Sequence, residues 1–239
     1  MTTVATSPDR SIVATGPAPF SRALRIVAGL SLVAAGLLNG LTQFLVEFFT
    51  QGHESFSDQI AWSRENALLH GAEQTALVVS SLVMLVGLLG VAQVCRYRAP
   101  VLTAIATPLV VWGMWGFGNV LAMGYVSGTV APDVLSVDQA VALNDGLSSH
   151  PGVVAVALVP HLIGSFLGLV LLSVAIWRSR AFPRATAVLL AAFLVWDFGL
   201  PPLGPVDPHV LLVVAWVWMG VHLLRMPDAV WRGATPGTA

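Results

Sequence analysis

ALLHGAEQTALVVSSLVMLVGLLGVAQV, residues 67–94, is followed at once by CRYR at 95–98. From Gln74 to Val94 this stretch carries no charged side chain, and it then meets Arg96 and Arg98. A bilayer core about 30 Å thick is crossed by about 20 apolar residues in a helix, so residues 67–94 read as a transmembrane helix stopped by an arginine pair. Working outward, five further runs share that character. Residues 26–46 follow Arg22 and Arg25, and 101–126 follow the arginine loop. Residues 152–177 stop at Arg178 and Arg180, 185–200 begin after Pro183 and Arg184, and 210–224 end at Arg225. Pro201, Pro202, Pro205 and Pro208 separate the last two runs and make them a tight helical hairpin. The expected architecture is all-α: a polytopic bundle of six transmembrane helices in one domain, 21–226. A disordered cytoplasmic tail at 1–20 precedes it and a cytoplasmic tail at 227–239 follows.

Composition excludes several function classes. The chain has 239 residues, 56% hydrophobic and 10% charged, with a mean hydropathy of +0.81, whereas about a quarter of a soluble domain is charged. All 11 basic residues are Arg. Without Lys there is no Schiff-base lysine and no Walker-type phosphate lysine. The single Cys95 excludes an internal disulfide and any CxxC site. With 11 basic residues against 12 acidic ones, no basic patch offers itself to nucleic acid.

Charge placement orients the chain. With the N-terminus in the cytoplasm, every Arg except Arg64 lies inside, and every acid except Asp9 and Asp228 lies at or near the outer face. Both termini are then cytoplasmic. In the second outer loop, Ser136-Val-Asp-Gln139 reads as an N-cap, which predicts a short surface helix over 137–143. Small residues four apart, Gly36 with Gly40 and Gly164 with Gly168, predict close helix approach.

Polar groups inside hydrocarbon are costly, so their positions are informative. Asn39, Gln43 and Glu47 recur every four residues and make one stripe. His70, Glu73 and Gln74 occupy the first turns of the second run, and Trp112, Trp115 and Asn119 share one face of the third. Span four offers Pro160, His161 and Ser165; span five ends in Trp196 and Asp197; span six opens with Asp207, Pro208 and His209. At 1.5 Å per residue, Asn39, Asn119 and His161 all lie about 10–14 Å below the outer ends of their helices. They are therefore expected to line one cavity open to the outer face. Each has a plainer role available: Asn39 and Gln43 as interhelical hydrogen bonds, Glu47 and Asp197 as solvated carboxylates, the tryptophans as packing or belt residues. No cofactor or metal is expected. His70 and His161 differ in depth by two turns or more, which does not suit a bis-His haem, and His70-x-x-Glu73 and Asp207-Pro-His209 lack a metal frame such as HExxH.

The Arg22-x-x-Arg25 entry, Ala28-Gly29 in the first helix, an outer loop and a second helix ending at Cys95-Arg-Tyr-Arg98 resemble six-span bacterial integral membrane proteins of about this length. The resemblance covers residues 20–226 and implies the cytoplasmic (inner) membrane of a bacterium; it carries over no activity and no functional residue. The leading reading is a non-enzymatic protein holding a small or lipid-like ligand, with Asn39, Gln43, Glu47, His70, Gln74, Trp112, Trp115, Asn119, Ser165 and His209 around it. The first alternative is an intramembrane isomerase or cyclase on an apolar isoprenoid or lipid substrate, with Glu73, His161 and Asp197 as acid–base groups. The second is a small transporter or channel subunit. Expected partners are membrane lipids and an apolar small molecule; a homo-oligomer stays open.

Overall fold

The computed structural model describes residues 19–49, 55–200 and 207–234. Among them every regular element is helical. Helix α1 runs Pro19–Ala35, widens to a π-helix over Gly36–Leu41 and continues through Thr42–Phe49. After α2 (Phe56–Glu65) comes the stretch that decided the fold, α3 (Ala67–Cys95). Helix α4 (Pro100–Tyr125) also passes through a π-helical turn, Val126–Val130, into Ala131–Val134. Helix α5 is Val137–Ser149. Helix α6 starts at Pro151–Val153, carries two π-helical segments, Val154–Leu158 and Pro160–Ser165, and ends with Phe166–Ser179. Helices α7 (Arg184–Gly199), α8 (His209–Arg225) and the single-turn α9 (Asp228–Trp231) follow.

Among the described residues four helices are long and apolar enough to cross a membrane: Ser21–Val46, Ala67–Cys95, Pro100–Val134 and Pro151–Ser179. This is the make-up of an integral membrane protein, and large apolar side chains such as Leu68, Leu82, Val101 and Val195 stand exposed around the bundle. The reading of six spans meets a difference here. Helices α7 and α8 have 16 and 17 residues, about 24–26 Å at 1.5 Å per residue, which is short of the roughly 30 Å hydrocarbon core.

The six rods form a closed ring in chain order: α1 packs on α3, α3 on α4, α4 on α6, α6 on α7, α7 on α8, and α8 back on α1. Each rod thus neighbours the next rod in sequence, as consecutive elements usually do. Between lipid-bathed helices the hydrophobic effect offers little, and close van der Waals packing holds them together. The glycines expected to allow this do so. A Cβ on Gly36 would press on Val217 and one on Gly40 on Val213, both of α8, and one on Gly164 or Gly168 on the α4 backbone near Gly113 and Val110. Gly113 and Gly116 of α4 meet the backbone of Ser165 and His161 just as tightly.

The two ends of the ring are finished differently. At the arginine-rich end Arg25 is buried and donates to the carbonyls of Leu223 (2.8 Å) and Leu224 (2.7 Å) while pairing with Asp228 at 3.0 Å. A guanidinium on the last carbonyls of α8 satisfies groups that the helix itself leaves open. Residues 226–234, read from sequence as the start of a free tail, are therefore docked: Val230 and Trp231 are buried and Arg98 donates to the Ala234 carbonyl at 3.1 Å. At the acidic end the described connecting segments include two helices, α2 and α5. α5 begins with a full capping box, Gln139 N–H on Ser136 Oγ (3.3 Å) and Ser136 N–H on Gln139 Oε1 (3.1 Å). It extends beyond the expected 137–143. Ile60 of α2 packs there with Ala131 and Ala140, and Arg64 donates to the Pro132 (2.7 Å) and Leu135 (3.0 Å) carbonyls.

Candidate functional site

A cavity of about 260 Å³ lies inside the ring toward the acidic end. All six rods contribute. Asn39 and Gln43 come from α1, Met84 from α3, Met114, Phe117 and Leu121 from α4, His161, Ser165 and Leu169 from α6, Phe193, Asp197 and Phe198 from α7, and His209, Leu212 and Trp216 from α8.

Three of its polar side chains sit where the helices are irregular. Asn39 lies within the π-helical Gly36–Leu41, and His161 and Ser165 lie within the π-helical Pro160–Ser165. Single π turns inside α-helices shift the side-chain register and recur at functional sites. Proline supplies one cause, since Pro160 has no N–H for the ladder. Asn39 is buried and donates to Ser80 Oγ at 3.3 Å, whose hydroxyl in turn donates to the Leu77 carbonyl. His161 Nδ1 is 3.4 Å from Ser165 Oγ, and its ring stacks on Phe117 with centroids 5.0 Å apart. His209 meets Phe193 edge-on at 5.2 Å. Its ring Nδ1 and its backbone N–H both lie 2.7 Å from Asp207 Oδ1. Burial alone pushes the Asp207 carboxyl upward, but the hydrogen bonds and charge of His209 outweigh it and hold Asp207 below the usual carboxylate range. Trp216 is almost wholly buried, and its indole N–H has no hydrogen-bond partner among the described residues.

Of the residues singled out from sequence, Asn39, Gln43, His161, Ser165, Asp197 and His209 converge on this cavity. Trp112 and Trp115 do not: both are exposed on the outside of α4. Asn119 donates to the Trp115 carbonyl at 2.9 Å and borders a separate shallow groove with Met123 and His150. The reason is helical phase. Gly113 and Gly116 press against the α6 backbone and so define the inward face, which turns 112, 115 and 119 away. His70, Glu73 and Gln74 form a cluster of their own at the start of α3. There His70 lies 3.6 Å from Glu73 and edge-on to Trp62, and Gln74 donates to Glu73 at 3.0 Å. Glu73 therefore lines no part of the cavity. The Glu47 side chain lies outside the described residues.

Sequence reasoning missed the aromatic wall of Phe117, Phe193, Phe198 and Trp216. The only available signal for Phe117 was its place one residue from Gly116 on the glycine-marked face. Asp207-Pro-His209, read from sequence as lacking a metal frame, is a two-residue turn whose carboxylate accepts the first N–H of α8. Among the described residues no group of three or more His, Cys, Asp or Glu stands together as metal ligands.

Fold and cavity together define a class, an all-helical integral membrane protein with a mostly apolar cavity, carrying a few polar side chains, within its helical ring. Comparison with protein-family models, curated proteins and solved structures finds no match.

Proposed function

We propose that this protein is a six-span protein of the bacterial cytoplasmic membrane, both termini inside, that binds a small amphiphile or one arm of a lipid in the cavity, which opens to the outer face. One observation carries the reading. Polar side chains from four separate helices converge on one aromatic and aliphatic cavity, as in small-molecule sites where a few placed polar groups orient a mostly apolar ligand. The volume holds about nine waters at about 30 Å³ each, so the occupant is small. Its apolar part would lie among Phe117, Phe193, Leu212 and Trp216, with its polar end toward Asp197 and His209 and an oxygen acceptor for the Trp216 N–H.

His161 and Asp197 on the same cavity favour a second reading, acid–base chemistry on an apolar substrate. Asp197 then takes the acid role first given to Glu73.

The test is purification in mild detergent followed by native mass spectrometry and an absorption spectrum. A stoichiometric small molecule that is lost from the His161→Ala and Phe193→Ala proteins, both still monodisperse, supports the binding reading. A converted molecule released on incubation, absent from Asp197→Asn, supports the enzymatic one. A protein that purifies empty, or keeps its molecule in both cavity variants, overturns the assignment of this cavity.

A further inference from the structure

The arginine-rich end carries a second concavity, on the outside of the ring between α1 and α3, with a volume of about 550 Å³. Its walls are Leu24, Val27 and Ala28 of α1 and Val86, Leu89 and Gly90 of α3. Leu24, Val27, Val86 and Leu89 are each about 40–50% exposed, so among the described residues no segment covers these walls. At one end of this apolar trough stand Ser21, Gln93, Arg96, Trp231 and Arg232.

Three observations identify the occupant. The first is length. From Val86 to Arg96 is ten residues of helix, about 15 Å, which matches one leaflet of a core about 30 Å thick. The second is charge. Neither Arg96 nor Arg232 is paired with a carboxylate among the described residues, and no acid borders the trough. Arg96 lies over the Tyr97 ring at 4.8 Å and donates to its hydroxyl at 2.8 Å, while Arg232 Nε donates only to the Asp228 carbonyl at 3.3 Å. Both guanidinium groups keep donors free, and guanidinium matches phosphate in a forked geometry. The third is how Arg232 gets there. The buried Arg25–Asp228 pair fixes α9 to the end of the ring, seating Trp231 beside the trough and holding Arg232 across from Arg96. Two arginines from sequence-distant segments thus flank one apolar slot.

We infer that the trough between α1 and α3 is a site for one anionic phospholipid, its phosphate held by Arg96 and Arg232 and an acyl chain laid along Leu24, Val27, Val86 and Leu89. Basic pockets between helices at the cytoplasmic face select anionic head groups in this way. The site is separate from the cavity at the acidic end, so either assignment can fail alone.

The experiment uses the full chain in nanodiscs of phosphatidylcholine with one-tenth phosphatidylglycerol, released into detergent and read by native mass spectrometry. The wild-type protein retains one phosphatidylglycerol per chain in preference to phosphatidylcholine. The Arg96→Gln/Arg232→Gln protein loses that preference at least tenfold, and Val86→Trp, which fills the trough while leaving both arginines, loses retention as well. Arg178→Gln, an exposed arginine of the same end outside the trough, retains the lipid. Retention unchanged in both trough variants overturns the site. So does an equal loss in Arg178→Gln, which would mean diffuse attraction to the whole charged end.

Discussion

The two ends of the helical ring solve the problem of polar groups in a membrane in opposite ways. At the arginine-rich end the polar atoms packed inside the ring find partners within the protein: Arg25 on two carbonyls and Asp228, Cys95 Sγ 3.5 Å from Ser179 Oγ, and His222 Nε2 3.0 Å from the Ala181 carbonyl. Leu32, Leu88, Val91, Leu172, Ile176 and Leu223 fill the space between them without exposure. Toward the acidic end, buried nitrogen and oxygen atoms of His70, Thr129, Trp196 and Trp216 have no hydrogen-bond partner among the described residues, whose four π-helical segments also lie there. A buried polar atom left unpaired costs about 1–3 kcal/mol. Inside the ring, the arginine-rich end is self-satisfied and the acidic end is held in a shape that leaves valences open, which is where a ligand within the ring gains most by binding.

That contrast depends on the α4–α6 crossing, where the cavity wall is built backbone to backbone. A side chain at Gly113 would overlap the Ser165 nitrogen and the Gly164 carbonyl carbon, neither of which can swing aside. Gly113→Leu is expected to cost more than about 4 kcal/mol, the range reserved for a broken core contact, and to leave little monodisperse protein on size-exclusion chromatography in detergent. Gly71→Ala is the control, because nothing lies within 4 Å of the added Cβ. It should match or slightly exceed wild-type stability, by up to about 1 kcal/mol. A stable Gly113→Leu protein would mean that the crossing is not a rigid wall and that the cavity's shape is adjustable.

The opposite end is tested through Arg25. Replacing it with Ala strands Asp228 and the last carbonyls of α8 without adding a substitute donor. The expected loss is about 2–3 kcal/mol, seen as a lower Tm and as protease access to residues 226–234. A double variant, Arg25→Ala with Asp228→Ala, should recover part of it, since no unpaired carboxylate remains. Equal Tm values for wild type and Arg25→Ala would show that the closed end does not owe its order to this guanidinium.

How much of this was legible beforehand follows from which signals survive in one dimension. The six rods were visible because hydrophobic length and flanking arginines are local properties; the boundaries at Cys95 and Ser179 fell within two residues of the expected 94 and 177. The Ser136 cap was readable for the same reason. The helical continuation of α4 through Val134 was not, because a π turn needs no sequence signature of its own. In the site, Asn39, His161 and Asp197 were found by asking which polar groups sit in hydrocarbon, a question that needs no neighbours. Trp112, Trp115 and Asn119 were misplaced because periodicity gives a shared face without saying where it points. Only the glycines at 113 and 116, pressed on α6, fix the phase of α4. Arg25 was read as a topological charge, and its partner Asp228 lies 203 residues away.

The finest distinction between the two ends is electrostatic, and it falls on Asp207. Its carboxylate accepts from the first N–H of α8 and from the His209 ring, and the side chain is mostly buried. A carboxylate at a helix N-terminus is favoured by the unpaired N–H groups and the helix dipole. Because its folded pKa lies below the ordinary value, which is about 3.9 in an unfolded chain, the contribution is fully present above that pH. It is lost as pH falls through the folded pKa. Thermal stability in detergent should therefore hold from neutral pH down to about pH 4.5 as far as this group is concerned and drop below it. Asp207→Asn, which keeps the shape but not the charge, should lower Tm at pH 7 by an amount worth about 1 kcal/mol and flatten that acid limb. If the limb persists unchanged in Asp207→Asn, the acid sensitivity belongs to other carboxylates, and the mouth of the cavity is not held by this pair. If it flattens while Arg25→Ala leaves the limb intact, the two ends respond to pH separately, as their separate hydrogen-bond networks require.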